Sequence, residues 1–241
     1  MDDRFEAFST SHYLMLALFV AGIPVLIRQG RRVRGTSAEE RSRRVFSIAI
    51  IATALPLQVL QLLPGDWSLD TSLPLHLCDL AWVVTAYALW TRRPWACALT
   101  CYWGLTLTSQ ALVTPSLSQA FPHPRFIGYW TMHVLVVWAA LYLTAALRVR
   151  PSWRLFGSTI GLTIGWMVAV MAFNVTTGTN YGYLNGKPGS GSLLDLLGPW
   201  PWYVVSEVVL VSAVWALITL PWTAAGRRAA AGDAARSPAL T

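Results

Sequence analysis

Residues 126–147 read FIGYWTMHVLVVWAALYLTAAL. This run of 22 residues holds no Asp, Glu, Lys or Arg, and His133 is its one histidine. The hydrocarbon core of a bilayer is crossed by about 20 mostly apolar residues. The stretch therefore reads as a membrane-crossing helix, and the rest of the chain has to be compatible with one.

Six further segments of the same character lie on either side, at roughly residues 12–27, 45–63, 75–91, 95–113, 155–173 and 203–222. Of the 241 residues 55% are hydrophobic and only 12% are charged, where an ordinary soluble domain carries about 25% charged residues. No polar stretch is long enough to bury a core of its own. These observations predict an all-α, polytopic membrane protein, a seven-transmembrane-helix bundle. It forms one domain over residues 1–222, followed by a Gly- and Ala-rich tail, 223–241, expected to be disordered.

The net charge of +7 comes from short arginine runs between the apolar segments. That is the pattern of the positive-inside rule and not of a nucleic-acid patch, so nucleic acid is excluded as a partner. Fifteen basic residues fall in the loops after segments one, three and five and in the tail, against three (Arg4, Arg125, Lys187) on the other side. The split predicts an N-terminus outside and a C-terminus inside. Trp67, Trp90, Trp95, Trp200, Trp202 and Trp222 stand at segment ends, where interfacial aromatic belts form. The first residues lack a basic n-region, so the first segment is expected to be a retained span.

Within this layout the polar residues in or beside the spans gather at one depth. His76, Cys78 and Asp79 open the third segment, Gln110 closes the fourth, His133 lies a few turns into the fifth, Asn174 ends the sixth, and Glu207 stands near the start of the seventh. An ionisable residue inside a span is costly unless it faces a protein interior or water, which makes each a functional candidate. A thiol becomes a nucleophile when a base or a positive environment draws off its proton, so Cys78 with His133 forms a candidate catalytic pair. The alternative is that Cys78 is a packing residue and His133 a core histidine bonded to a neighbour. Cys97 and Cys101, four apart in an apolar segment, read as small buried hydrophobes, and His12 and His123 as interfacial residues without a role.

His76 and Asp79 are three apart and share a helix face, whereas Cys78 points away from both. A metal site would therefore need His133 and Glu207 from other spans; a hydrogen-bond network holding the spans together is the competing reading. No metal and no cofactor is assigned. For Glu207 a partner is required, and His76 or His133 is the expected one.

Several motifs together carry a resemblance: Pro74-Leu75-His76-Leu77-Cys78-Asp79, Gln110-Ala111-Leu112-Val113-Thr114-Pro115, Tyr129-Trp130-Thr131-Met132-His133, Asn180-Tyr181-Gly182-Tyr183-Leu184, and Leu197-Gly198-Pro199-Trp200-Pro201-Trp202-Tyr203. Over about residues 12–222 the chain resembles the YwaF-like family of bacterial integral membrane proteins. Eukaryotic relatives, known as transmembrane protein 164, are described as acyltransferases that remodel ether phospholipids with an active-centre cysteine. The resemblance implies a multi-pass protein of the bacterial cell membrane, with Cys78 as nucleophile and His133 as base. It implies phospholipids or lysophospholipids as partners.

From residues and resemblance together the expected function is phospholipid acyl transfer, with His76, Asp79, Gln110, Asn174, Asn180, Tyr181 and Glu207 binding substrate or orienting the pair. Two other readings stay open. One is a seven-helix protein that binds or transports a small ligand in an outward-facing polar pocket, and the other is a metal-dependent lipid hydrolase.

Overall fold

A computed structural model describes residues 4–65, 67–189 and 191–236, with side chains described as far as residue 223. Eight α-helices follow one another: α1 (Thr10–Val33), α2 (Ser37–Gln61), α3 (Leu77–Thr91), α4 (Pro94–Tyr102), α5 (Thr108–Val113), α6 (Pro124–Leu141), α7 (Trp153–Thr177) and α8 (Trp202–Arg236). A π-helical turn, Trp103–Leu107, joins α4 to α5 in one rod, and a second, Tyr142–Ala146, extends α6. Seven rods result, as the apolar segments predict. Among the described residues there is no strand, only a single β-bridge between Arg4 and Gln119. Five of the seven rods are long and apolar enough to cross a membrane; α3, with 15 residues, and the rod formed by α4, the π turn and α5 are not among them.

The helices start where local chemistry predicts. Thr36 caps α2 by accepting the Ala38 N–H, with Glu39 and Glu40 in the first turn where the helix dipole favours acids. Proline opens α4 and α6, and Ser152 caps α7. Gly178, with φ of 76°, closes α7 in the left-handed conformation.

Two expectations change. The first basic loop, read from the sequence as Arg28 to Arg44, shrinks to residues 34–36, because α1 and α2 run on past their apolar stretches into the arginines. The tail expected to be disordered from residue 223 enters a continuation of α8 to Arg236; residues 237–241 lie outside the described residues.

The arginines at this end also close helices. Arg43 Nη1 donates to Leu89 O at 2.6 Å, at the C-terminus of α3. Arg34 Nη1 donates to Ala146 O at 3.2 Å and Arg31 Nε to Ala145 O at 3.4 Å, at the end of the α6 rod. These carbonyls have no partner within their own helices, and a guanidinium satisfies them while complementing the dipole. Glu39 accepts from Arg92 at 2.9 Å and from the Gly35 N–H at 2.8 Å, so the carboxylate is neutralised in place.

Small residues let the rods approach closely. Ala86, Ala88, Ala96, Ala139 and Ala146 lie fully inside the core with Leu89, Tyr142 and Leu143. A Cβ at Gly104 would meet Ala140 Cβ at 2.8 Å, so the first π turn touches α6 only because residue 104 is glycine. The expected belt tryptophans Trp67, Trp90, Trp95, Trp200 and Trp202 are between 43% and 64% exposed, whereas Trp130 and Trp215 are buried.

The shortness of α3 creates the site. Arg43 binds Leu89 O while the adjacent Ser42 receives the Tyr142 hydroxyl at 2.9 Å, so Leu89 and Tyr142 stand at one level. Cys78 lies 11 residues from Leu89, and His133 lies 9 residues from Tyr142. At 1.5 Å per residue that is about 16 Å and about 14 Å along two rods that run the same way. Cys78 and His133 therefore reach the same depth, inside the bundle, and above α3 the segments before α3 and after α7 meet where Leu69, Leu73 and His76 bond Tyr181 and Gly182.

Candidate active site

The N-terminus of α3 is capped by its own sequence. The Asp79 carboxylate accepts the His76 N–H at 3.0 Å, and the Asp79 N–H donates back to His76 O at 3.0 Å. This places Cys78 in the first turn. The N–H groups of Leu77 and Cys78 have no acceptor among the described residues, as expected for the first N–H groups of a helix.

His76 also ties the helix to the long loop. Its Nδ1 accepts the Gly182 N–H at 3.2 Å, which puts the proton of the neutral ring on Nε2, and the ring packs against Tyr181 and Tyr183. Gly182 has φ of 68°, and a Cβ there would come within 2.8 Å of Trp166. Trp166 in turn donates to Leu75 O at 3.1 Å, so the loop is clamped from both sides.

His133, 2% exposed, bonds through Nδ1 to Tyr129 O at 2.7 Å, one turn earlier in α6. A carbonyl only accepts, so Nδ1 carries a proton and Nε2 of the neutral ring keeps its lone pair. The Tyr129 ring lies 4.1 Å from the imidazole, and the Tyr129 hydroxyl donates to Ala111 O at 2.8 Å. Histidine, aromatic ring and α5 are thereby fixed together. No hydrogen bond joins Cys78 to His133 among the described residues.

Both residues line one cavity of about 540 Å³, enclosed by α2, α3, α5, α6, α7, α8 and the loops above them. His76, Asp79, Gln110 and Glu207 line it as well. The Gln110 amide and the Glu207 carboxyl have no hydrogen-bond or ion-pair partner among the described residues, so the expected pairing of Glu207 with His76 or His133 does not form. No three His, Cys, Asp or Glu side chains among the described residues come together as a group able to hold an ion. His76, Asp79, His133 and Glu207 thus share a cavity without forming the composite metal site.

The asparagines are placed elsewhere. Asn174, 1% exposed, donates to Tyr181 O and Asn185 Oδ1 and accepts from Thr179 Oγ1 and the Tyr181 N–H, all within 3.0 Å. Asn180 donates to Gly186 O and accepts the Asn185 N–H. Both spend their amides inside the long loop, and neither lines the cavity. Tyr181 is buried; its hydroxyl donates to Leu69 O at 2.6 Å and accepts the Leu73 N–H at 3.0 Å, stitching the two loops together. Burial raises the pKa of this phenol, so its hydroxyl keeps its proton and remains a donor.

His12 is fully buried instead of interfacial, its Nε2 bonded to Leu112 O at 2.9 Å and its Nδ1 to the Phe8 N–H at 2.8 Å. His123 caps α6 by accepting the Arg125 N–H at 3.1 Å. Cys97 and Cys101 are buried free thiols, as expected. Tyr129, Tyr183 and Trp215 are cavity residues that the site reading of the sequence missed. Only Tyr129 left a signal, one helical turn before His133.

A family model described as TMEM164 family matches residues 7–219. The chain belongs to the TMEM164 family. No curated protein and no solved structure matches it. The matched span takes in every element that lines the cavity, so cavity and loops both lie within the TMEM164 family region. Membership makes this a membrane protein of the TMEM164 family, in agreement with its apolar rods.

Proposed function

We propose that the protein is a membrane-embedded phospholipid acyltransferase in which Cys78 is the nucleophile and His133 the base. The observation that carries the reading is the pairing in one cavity, at one depth, of a first-turn cysteine with a histidine whose Nδ1 is pinned and whose Nε2 is free. Membership of the TMEM164 family supports it. Catalytic hydrogen bonds between nucleophile and base often tighten only once substrate is bound, so the reading does not require a Cys78–His133 bond in the free protein.

The chemistry runs in two balanced halves. His133 Nε2 takes the Cys78 proton as sulfur attacks the carbonyl of a donor phospholipid ester. The C–O bond breaks, the departing lysolipid oxygen takes the proton from His133, and the acyl group stays on Cys78 as a thioester. An acceptor lysolipid hydroxyl then loses its proton to His133 and attacks the thioester; the C–S bond breaks and the leaving sulfur takes the proton back from His133, regenerating the thiol and the neutral base. The free Leu77 and Cys78 N–H groups supply donors for the oxyanion of each tetrahedral intermediate. By the arginine split, the loop-covered end of the cavity faces the outer leaflet.

A second reading rests on Glu207. A carboxyl that lines a membrane-depth cavity without a partner is also what a cation or proton site would present.

Intact-protein mass spectrometry after incubation with mixed phospholipids tests the choice. A hydroxylamine-sensitive acyl adduct on Cys78, absent from Cys78→Ala, is expected. A wild-type protein that stays unmodified while acyl groups still move between lipids overturns the thioester mechanism.

A further inference from the structure

The cavity has a floor, and the floor is close. Trp215 of α8 is the cavity-lining residue nearest the arginine-rich end of that helix and is fully buried. Its indole N–H donates to Thr106 Oγ1 at 2.9 Å, and Thr106 Oγ1 donates to Tyr102 O at 2.6 Å. The Tyr102 hydroxyl meets Thr219 Oγ1 at 2.6 Å, and Thr219 Oγ1 donates to Trp215 O at 2.8 Å. The bonds close a ring across α4, the π turn and α8. Trp215 is therefore a fixed plate and not a swinging side chain.

Its depth follows from the rods. Cys97 Sγ lies 4.0 Å from Ala88 O, so these residues share a level, and Trp215 packs on Tyr102, five residues further along α4, at 5.3 Å. Cys78 lies ten residues from Ala88 along α3. At 1.5 Å per residue the plate stands about 7 Å below Cys78. One leaflet's share of a hydrocarbon core about 30 Å thick is about 15 Å. A leaflet-length acyl chain on Cys78 cannot run straight down.

The side wall gives way at α7. Ile164 lines the cavity and is also 39% exposed, on a stretch of α7 that it shares with the exposed Gly161, Gly165 and Val168. Trp103 Nε1 donates to Thr163 Oγ1 at 2.9 Å, which sets Ile164 between the level of the plate and that of Cys78. Across from it, α8 contributes Val208 and Val211, and no side-chain hydrogen bond ties α7 to α8 among the described residues. At this height α7 and α8 therefore meet at a seam of side chains that no hydrogen bond joins.

We propose that an acyl chain held at Cys78 leaves the bundle sideways past Ile164, between α7 and α8, because Trp215 closes the way down. The ligand class is a bilayer phospholipid or lysophospholipid whose headgroup sits in the polar upper cavity while its tail stays in the membrane. The use of this window in acyl transfer rests on the reading of Cys78 given above; the window as a binding feature does not.

The test measures lipid occupancy by native mass spectrometry in the Cys78→Ala background, where no turnover interferes. The probes are lysophosphatidylcholine with a hexanoyl or a palmitoyl chain, offered to the parent protein and to Ile164→Trp. Position 164 is half-exposed, so the larger ring blocks the seam without displacing the core, and an unchanged melting temperature confirms it. Palmitoyl occupancy falls about tenfold, a 1.4 kcal/mol effect, while hexanoyl occupancy, whose tail ends above the plate, stays within about twofold. Ile164→Ala retains both. Equal loss of the two probes, or no loss of either, in a protein that keeps its melting temperature overturns the window. The acyl adduct on wild-type Cys78 is scored separately, so a missing adduct with the chain-length effect intact overturns the acyltransferase reading and leaves the window standing.

Discussion

His133 Nδ1 lies 2.7 Å from the carbonyl oxygen of Tyr129, and that contact decides the tautomer of the ring. A proton held on Nδ1 leaves the neutral imidazole with one basic nitrogen, Nε2, which is the form a general base requires. The same residue could have been a passive core histidine. His12 shows what that looks like, with both ring nitrogens engaged by backbone.

His133→Gln therefore separates chemistry from packing. The glutamine amide can still donate to Tyr129 O, so α6 keeps its turn, but the base is gone. Acylation of Cys78, followed as single-turnover thioester formation, is expected to slow by about 10²- to 10⁴-fold, the usual worth of a positioned proton acceptor. Alkylation of Cys78 by a small maleimide should still proceed, because the cavity is unchanged. An acylation rate within a few fold of wild type would return His133 to the core.

The long loop depends on one side chain. Asn174 makes four hydrogen bonds to residues 179–185, and leucine of similar size makes none. Each buried group left unpaired costs about 1–3 kcal/mol. Asn174→Leu should lower the melting temperature by several degrees and raise hydrogen exchange at residues 179–185, with much smaller changes in α2 and α3. His76→Ala should loosen the same loop less, since it removes one acceptor for Gly182 and two ring contacts.

Glu207 divides the two functional readings. In an acyltransferase its carboxyl, which hydrogen-bonds to neither thiol nor base, takes no proton in the reaction, so Glu207→Gln should change the rate by less than about tenfold, while Cys78→Ala abolishes adduct formation. A cation- or proton-coupled protein would reverse that order, and measured flux in proteoliposomes with the two variants shows which applies.

Much of this was legible in the sequence because a membrane imposes its own grammar. Seven apolar runs gave seven rods, and the opening of the third, PLHLCD, held the cap and the cysteine of the site. What hid was every partner that the fold brings in from afar. Asn174 and Asn180 are polar residues near a cavity, and nothing in their spacing says that the loop, not a ligand, takes their amides. Glu207 demanded a partner on energetic grounds, yet it lines an open cavity. Trp215 and the belt tryptophans are the same residue type, and only the pairing of Tyr102 with Thr219 and of Thr106 with the indole shows that one of them is a plate.

Orientation is the prediction with the widest consequence, because it sets which leaflet supplies the lipid. Some of the arginine excess has a structural use: Arg31, Arg34 and Arg43 satisfy carbonyls of α6 and α3 wherever that end lies. Setting these three aside still leaves 12 basic residues against three, an asymmetry that positive-inside sorting explains and helix closure does not. In the Cys78→Ala background, where Cys97 and Cys101 are buried, a cysteine introduced at Gln119 should react with a membrane-impermeant maleimide in intact cells. One introduced at Arg150 should react only after lysis. The opposite result would turn the bundle over and give the cavity the inner leaflet's lipids.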